Sequence, residues 1–146
     1  MTEIVVDVVG IPAPQGSKRH VGRGILVESS KKVGPWREAV VAALTADGAA
    51  GRRIDGPVVV RLVFRLPRPA SHFGPRGMRD KARLCLPDKR PDLDKLVRST
   101  LDALTTAAVI ADDSRVIRIT AGKRYANPDE APGCLVWVST AEEASE

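Results

Sequence analysis

Five aspartates within residues 89–116, which read KRPDLDKLVRSTLDALTTAAVIADDSRV, have side chains and spacing suited to chemistry. The set comprises Asp92, Asp94, Asp102, Asp112 and Asp113, with Arg90 and Arg98 among them. Carboxylate oxygens are typical ligands of Mg²⁺, which binds one or two of them together with water and substrate phosphate. Two such ions can activate an attacking water and stabilise the leaving oxygen in phosphodiester cleavage. The stretch therefore suggests metal-assisted hydrolysis, if its carboxylates converge on one point.

Each of these acids also has a purely structural interpretation. Asp92 is a good helix N-cap, since its carboxylate can accept a backbone N–H. Asp94 and Asp102 each lie four residues from Arg98 and could form an exposed ladder of ion pairs. The Asp112-Asp113 pair could simply favour a turn. These interpretations explain less well why the acids lie at the two ends of one helix-turn segment.

The element that positions the acids is a predicted helix over about residues 92–107. Pro91 favours a helix start just after it. An apolar stripe at helical spacing follows, made of Leu93, Leu96, Val97, Leu101 and Leu104. A helix of about 16 residues is roughly 24 Å long. A direct turn after it would leave Asp113 at the far end, so a crossing element or a second subunit must bring Asp113 back.

The order P-D-L-D-x-L, then L-D-A-L-T, then D-D-S-x-V resembles the signature of the RusA-type Holliday junction resolvases. These are small, mostly phage-derived endonucleases. The resemblance implies that Asp92, Asp94 and Asp113 are catalytic and hold the metal, with Asp112 as a helper or turn residue. The family usually has Lys one turn after the second acid, where this chain has Arg98. Arginine keeps the positive charge for a phosphate contact but is not equivalent to lysine.

The resemblance also implies an activity and an assembly. The expected activity is Mg²⁺-dependent, structure-selective hydrolysis of four-way DNA junctions by paired cuts, with Mn²⁺ able to substitute, in DNA recombination and repair. The expected assembly is a homodimer, because a dimer with two-fold symmetry offers two matching sites to a junction of near two-fold symmetry. The chain is expected to be encoded by a phage or prophage.

Net charge independently favours an anionic partner. The 146 residues contain 23 Lys and Arg against 18 Asp and Glu, a formal charge of +5. A solvated basic surface is the alternative to nucleic-acid binding. The candidate DNA-binding residues are Lys18, Arg19, Arg76, Arg79, Lys89, Arg90 and Lys123.

Cellular context is also predicted from composition. Two distant cysteines, Cys85 and Cys134, do not make a disulfide framework, and we expect both to be buried or semi-buried thiols in a reducing compartment. The start of the chain lacks the basic region of a signal peptide, and no apolar run is long enough to span a membrane. We therefore expect a cytoplasmic protein, in the host cell if a phage encodes it.

The remaining elements follow from local patterns. Strands are predicted at 3–9, 24–28, 57–66 (central), 115–121 and 134–140, and a second helix at 33–44. Residues 11–20 are predicted to be a basic loop, residues 67–90 a long irregular basic loop, and residues 141–146 a frayed tail. The whole chain, 1–146, is thus predicted to be one RusA-like α+β domain, with a mixed β-sheet and two main helices packed on it.

Two other functions stay open on the sequence alone. One is a DNA-binding module without catalysis, in which the acids are only caps and ion pairs. The other is a metal-dependent nuclease that acts on other branched DNA or on RNA. Two further side chains have alternatives of their own: His20 as a general base or a solvated loop residue, and Trp36 as a base-stacking or a core residue.

Overall fold

The computed structural model describes residues 3–16, 18–20, 26–28 and 31–141, with the side chains of 18–20 and 26–28 left out. Four strands form the main sheet: β1 (Glu3–Val9), β4 (Val58–Leu66), β7 (Val116–Tyr125) and β8 (Gly133–Thr140). Their order is β1-β8-β4-β7. Strand β8 is antiparallel to both neighbours, whereas β4 and β7 are parallel. The sheet is therefore mixed, and β4 is an interior strand as predicted.

Two helices, α1 (Val33–Ala46) and α2 (Leu93–Thr106), pack against one face of this sheet. Alternate strand residues such as Val6, Leu62 and Val136 join the helical side chains in one buried core. Trp36 is part of that core, and its indole N–H donates to Thr100 Oγ1 at 3.2 Å, so its core interpretation is confirmed. The mixed sheet with two main helices confirms the predicted α+β fold. Neither helix has the length and apolar character that crossing a membrane requires, nor does any other in the described ranges.

The opposite face of the sheet presents apolar side chains to solvent, including Val5, Val63 and Leu135. Arg65, a charged residue on this face, is buried. Its guanidinium lies 2.8 Å from Asp7 Oδ1 and donates to the carbonyl oxygens of Val8 and Ala131. Arg65 thus ties β4 to one end of the β1–β8 pair, where β1 ends and β8 begins.

Strand β7 is one of the two outer strands of the main sheet, and nine of its ten residues pair with β4. Ile117 and Ile119 on this strand are 63% and 41% exposed. The register shifts near its start: Val116 lies opposite Val58, but Arg118 lies opposite Val59, so the pairing skips Ile117. Within the described residues, the free edge of β7 pairs with no other strand.

Several predicted boundaries need correction. The predicted loop 11–20 ends in a short strand, β2 (Lys18–His20), which pairs with β3 (Leu26–Glu28). Residues 24 and 25 of the predicted second strand, Arg23 and residues 142–146 of the predicted tail lie outside the described residues. The predicted strand 115–121 extends to Tyr125, so Lys123 lies within β7 rather than after it.

The predicted irregular segment 67–90 also contains local structure. Two 3₁₀ turns, Ala70–His72 and Asp80–Leu84, flank a small hairpin of β5 (Phe73–Gly74) and β6 (Gly77–Met78). Cys85 in this segment is exposed, which corrects the expectation that both thiols are buried. Cys134 is buried on the core side of β8, and burial raises the pKa of its thiol to about 12.

Gly133 provides a test of this packing. A methyl group at this position would overlap the carbonyl oxygen of Val8 and crowd the Arg65 guanidinium. We expect Gly133→Ala to lower the free energy of unfolding by about 1–3 kcal/mol, the usual cost of overpacking. Urea denaturation would measure the change.

Gly122→Ala is the matched control, because a methyl group there meets no atom within 4 Å. This second variant should change the unfolding free energy by no more than about 0.5 kcal/mol. Equal stabilities for the two variants would contradict the close approach of β1 to β8 at Gly133.

Candidate functional site

The N-terminal end of α2 holds the first two candidate acids. Asp92 is the N-cap residue, but its side chain makes no capping hydrogen bond. Its carboxylate lies 3.7 Å from the ammonium of Lys95 and is about half exposed. Asp94 is exposed in the first turn. Both carboxylates therefore lie where the positive end of the helix dipole favours negative charge, and neither is buried.

Lys123 reaches this end of α2 from strand β7. Its ammonium donates to the backbone carbonyls of Lys89 and Pro91, both at 2.8 Å. These bonds fix the segment that immediately precedes Asp92. An ammonium has three N–H donors, so a phosphate contact through the third is compatible with both bonds. The strand that crosses back along α2 thus brings Lys123, rather than Asp113, to Asp92.

Asp112 and Asp113 lie at the opposite end of α2. Thr105, near the end of the helix, donates its hydroxyl to Asp113 Oδ1 at 3.1 Å. The Asp112 carboxylate accepts the backbone N–H of Ser114 at 2.9 Å. The hydrogen bonds from Ser114 lower the pKa of Asp112. Asp112 is therefore the residue that shapes the turn, while Asp113 faces the helix end.

The length of α2 separates the two pairs of acids within one chain. Asp94 and Thr105 are eleven residues apart, which corresponds to about 16 Å along a helix axis. Ligands of a single ion lie within a few ångströms of one another. Among the described residues, no three His, Cys, Asp or Glu side chains are close enough to hold a metal ion. One chain therefore offers Mg²⁺ a partial site of Asp92 and Asp94, and Asp113 separately.

The middle of α2 carries the predicted basic residue. Arg98 is exposed one helical turn after Asp94, on the same flank of the helix. Asp102 follows one turn later and is half-buried. Arg98 is thus accessible to a bound phosphate.

Apart from Lys123, the candidate DNA-binding residues divide into three groups. Arg76 and Arg79 are exposed in and beside the β5–β6 hairpin. Lys89 and Arg90 are exposed just before α2. Lys18 and Arg19 belong to strand β2, and their side chains, like that of His20, lie outside the described part of the structure.

A groove of about 960 Å³ opens beside Asp92. Three segments far apart in sequence form its walls: 11–16, 66–72 and 85–92. Arg68, His72 and Tyr125 contact one another at one wall. This groove was missed by the sequence analysis because no local pattern joins the three segments. The only feature that they share in the sequence is their proline content.

Comparison with models of known protein families gives a match. The chain matches a family model described as Endodeoxyribonuclease RusA over residues 9–133, which is most of its length. The matched range includes all five candidate aspartates, Arg98 and Lys123. A search of curated proteins finds no match.

The bonds from Lys123 lead to a local prediction. We expect Lys123→Met to speed amide hydrogen exchange in the first turn of α2, because loss of two hydrogen bonds from a charged donor loosens residues 89–91. Such bonds typically contribute about 1.5–3 kcal/mol each, and exposure reduces that value. Exchange measured by mass spectrometry on peptides that cover residues 87–97 would test this.

Lys81→Met removes an exposed lysine from the 3₁₀ turn Asp80–Leu84 and serves as the control. Its exchange pattern over residues 87–97 should match that of the unmodified protein. If Lys123→Met also left this pattern unchanged, the ammonium would not be what holds the segment before Asp92.

Proposed function

The chain belongs to the RusA family of endodeoxyribonucleases, which act on branched DNA junctions, and we propose that it cuts four-way DNA junctions by Mg²⁺-dependent phosphodiester hydrolysis. Mn²⁺ substitutes for Mg²⁺ in this proposal. What supports it most directly is the pair of exposed carboxylates, Asp92 and Asp94, at the N-terminal end of α2. When bound, the metal supplies an activated water and neutralises charge on the phosphate.

The chain's own residues have distinct roles in this activity. Asp92 and Asp94 bind the metal, and their exposure lets a bulky DNA substrate approach. Arg98 and Lys123 hold the phosphate from two directions, one from the helix flank and one from β7. Lys123 also orders the backbone before Asp92 through its two bonds to carbonyl oxygens.

A third ligand requires a second copy of the chain. Asp113 lies near Thr105, about 16 Å along α2 from Asp94, so it cannot bind the same ion within one protomer. We therefore extend the proposal to a homodimer in which Asp113 of the partner subunit completes each site. The two sites of such a dimer match the near two-fold symmetry of a four-way junction.

The free edge of β7 is suited to this assembly. A long edge strand presents unpaired N–H and C=O groups that can pair with another chain. Two β7 strands paired antiparallel across a two-fold axis would have the Val116 end of one beside the Lys123 end of the other. Asp113 precedes Val116 by three residues, and Lys123 lies beside Asp92. This pairing would thus bring the N-terminal end of α2 in one protomer close to the C-terminal end of α2 in its partner. It would also cover Ile117 and Ile119.

The activity is tested by cutting of a labelled synthetic four-way junction with Mg²⁺, with Mn²⁺ or with EDTA. We expect paired cuts that require metal, and little cutting of a linear duplex of the same sequence. Asp94→Asn should reduce cutting by about 10²-fold or more, a loss typical for a group that stabilises transition-state charge, while junction binding persists. Asp47→Asn, which changes an exposed acid at the C-terminal end of α1, should cut like the unmodified protein.

Other outcomes favour the alternatives. Binding without cuts in either metal would identify a DNA-binding module in which the acids are structural. Equally fast cutting of RNA or of simple flaps would identify a nuclease with another substrate. Loss of junction binding or of folding in Asp94→Asn would contradict the role assigned to Asp94.

The shared site is tested by mixing two inactive variants. Asp94→Asn and Asp113→Asn should each be inactive as homodimers. Co-expression with two different tags yields heterodimers in which one site combines intact Asp94 with Asp113 of the partner subunit, while the other site lacks both. Purified heterodimers should therefore nick one strand of a junction, because one of the two sites in each heterodimer is intact.

An inactive heterodimer would contradict the shared site, because it would mean that each protomer uses its own Asp113. Full activity of Asp113→Asn alone would instead remove Asp113 from the catalytic set. Size-exclusion chromatography with light scattering on the same samples checks that dimers form.

A further inference from the structure

The groove beside Asp92 has rigid walls. Six prolines line it: Pro12, Pro14, Pro67, Pro69, Pro87 and Pro91. Proline fixes its own φ angle, so segments rich in it lose little conformational freedom when a ligand binds. The wall at 11–16 is also tied to α2, because the N–H of Gln15 donates to the Lys95 carbonyl at 3.0 Å and Ser99 Oγ donates to the Ala13 carbonyl at 2.7 Å. The groove is thus a preformed part of the site.

Positive charge dominates the lining of the groove. Its cationic residues are Lys32, Arg68, Lys89, Arg90 and Lys95, against the acidic residues Asp88 and Asp92. Phosphate contacts with Lys and Arg supply most of the affinity of proteins for nucleic acids. The excess of cations therefore favours a polyanion over a neutral or cationic ligand.

An aromatic cluster lies at the wall formed by residues 66–72. The rings of His72 and Tyr125 meet edge to face, with centroids 4.9 Å apart. Arg68 lies 5.5 Å from the Tyr125 ring centroid and donates to the carbonyls of Ala82 and Ala126, both at 2.8 Å. The cluster is therefore anchored to two backbone segments.

The same arginine sets the tautomer of His72. Arg68 Nη1 lies 3.1 Å from His72 Nδ1. A guanidinium can only donate, so Nδ1 is the acceptor and the ring proton is on Nε2. His72, which lines the groove, therefore carries a fixed N–H donor on its other nitrogen.

We propose that this groove binds an unpaired stretch of one DNA strand next to the cleavage site. Proteins that bind single strands combine a positively charged groove with aromatic side chains that contact bases, and this groove has both. A volume of about 960 Å³ has room for a few nucleotides of one strand but not for a duplex. The inference rests on the proposed function, because it assigns the groove to the DNA strand that continues from the proposed cleavage site at Asp92.

The consequence for substrate choice is direct. An intact duplex cannot insert either strand into the groove without losing base pairs. A branched junction has strands that part at the crossover point, so it can fill the groove at lower cost. Binding in the groove therefore favours branched over linear DNA, independently of base sequence.

Ser71→Trp tests the groove, because Ser71 is exposed and lines it, so the added ring fills space without disturbing the core. Ala70→Trp is the matched control, since Ala70 is the exposed neighbour of Ser71 but does not line the groove. The probe is a short fluorescein-labelled oligothymidylate, followed by fluorescence anisotropy in EDTA. We expect Ser71→Trp to weaken its binding about tenfold, the size of a lost base contact. Ala70→Trp should change binding by less than about twofold.

Three results would overturn the inference: unchanged binding by Ser71→Trp, equal losses in both tryptophan variants, or no binding of the oligothymidylate by the unmodified protein. Junction cutting by the unmodified protein is measured in parallel, so that a failure of the groove proposal can be distinguished from a failure of the proposed nuclease activity. Selective loss of strand binding in Ser71→Trp without any junction cutting would support the groove and reject the nuclease activity. Junction cutting by the unmodified protein, together with unchanged strand binding by Ser71→Trp, would support the nuclease and reject the groove.

Discussion

The fixed length of one helix constrains the rest of the site. Every residue of α2 adds about 1.5 Å, so its N-terminal acids and the acid beyond its C-terminal end cannot approach one another. The helix cannot tilt to compensate, because Leu96, Ala103 and Leu104 are fully buried against the sheet. The proposed site is therefore divided into two halves, and the proposed catalysis depends on how these halves are joined.

The separation of Asp92 and Asp94 from Asp113 has an electrostatic advantage for a chain without bound metal. Three carboxylates around one point repel each other, and that repulsion would oppose folding. In this chain, Asp92 and Asp94 share the positive end of α2, and Lys95 lies beside Asp92. Asp113 is instead bonded by Thr105 at the other end. A single chain can thus fold without the electrostatic repulsion of the complete acid cluster.

Local patterns in the sequence predicted the elements well. Pro91, Asp92 and the leucine spacing fixed α2 to within one residue at either end, and the valine-rich segment before Leu66 correctly indicated the interior strand. The family signature assigned metal-binding and catalytic roles to Asp92, Asp94 and Asp113, and those roles, like the convergence of the three acids, stay predictions.

The errors arose where distant segments determine the structure. Strand β7 was predicted to end at residue 121, because the prediction rested on the alternating pattern of residues 115–121 alone. Pairing with β4 extends it to Tyr125 and so brings Lys123 to Pro91. The groove likewise depends on three segments that the sequence keeps apart, and Arg68 shows its role only through contacts with Ala82 and Ala126.

The skipped residue near the start of β7 determines which face of the sheet Lys123 occupies. Side chains alternate along a strand, so a shift of one residue moves every later side chain to the other face. Because the pairing with β4 skips Ile117, Lys123 lies opposite Phe64, on the face that carries the helices. With regular pairing from Val116 onwards, Gly122 and Arg124 would occupy that face, and Lys123 would point away from Asp92. The skipped residue, Ile117, lies six positions before Lys123 and determines the face of the sheet on which Lys123 lies. Strand β7 should therefore accept many substitutions but few single-residue insertions or deletions.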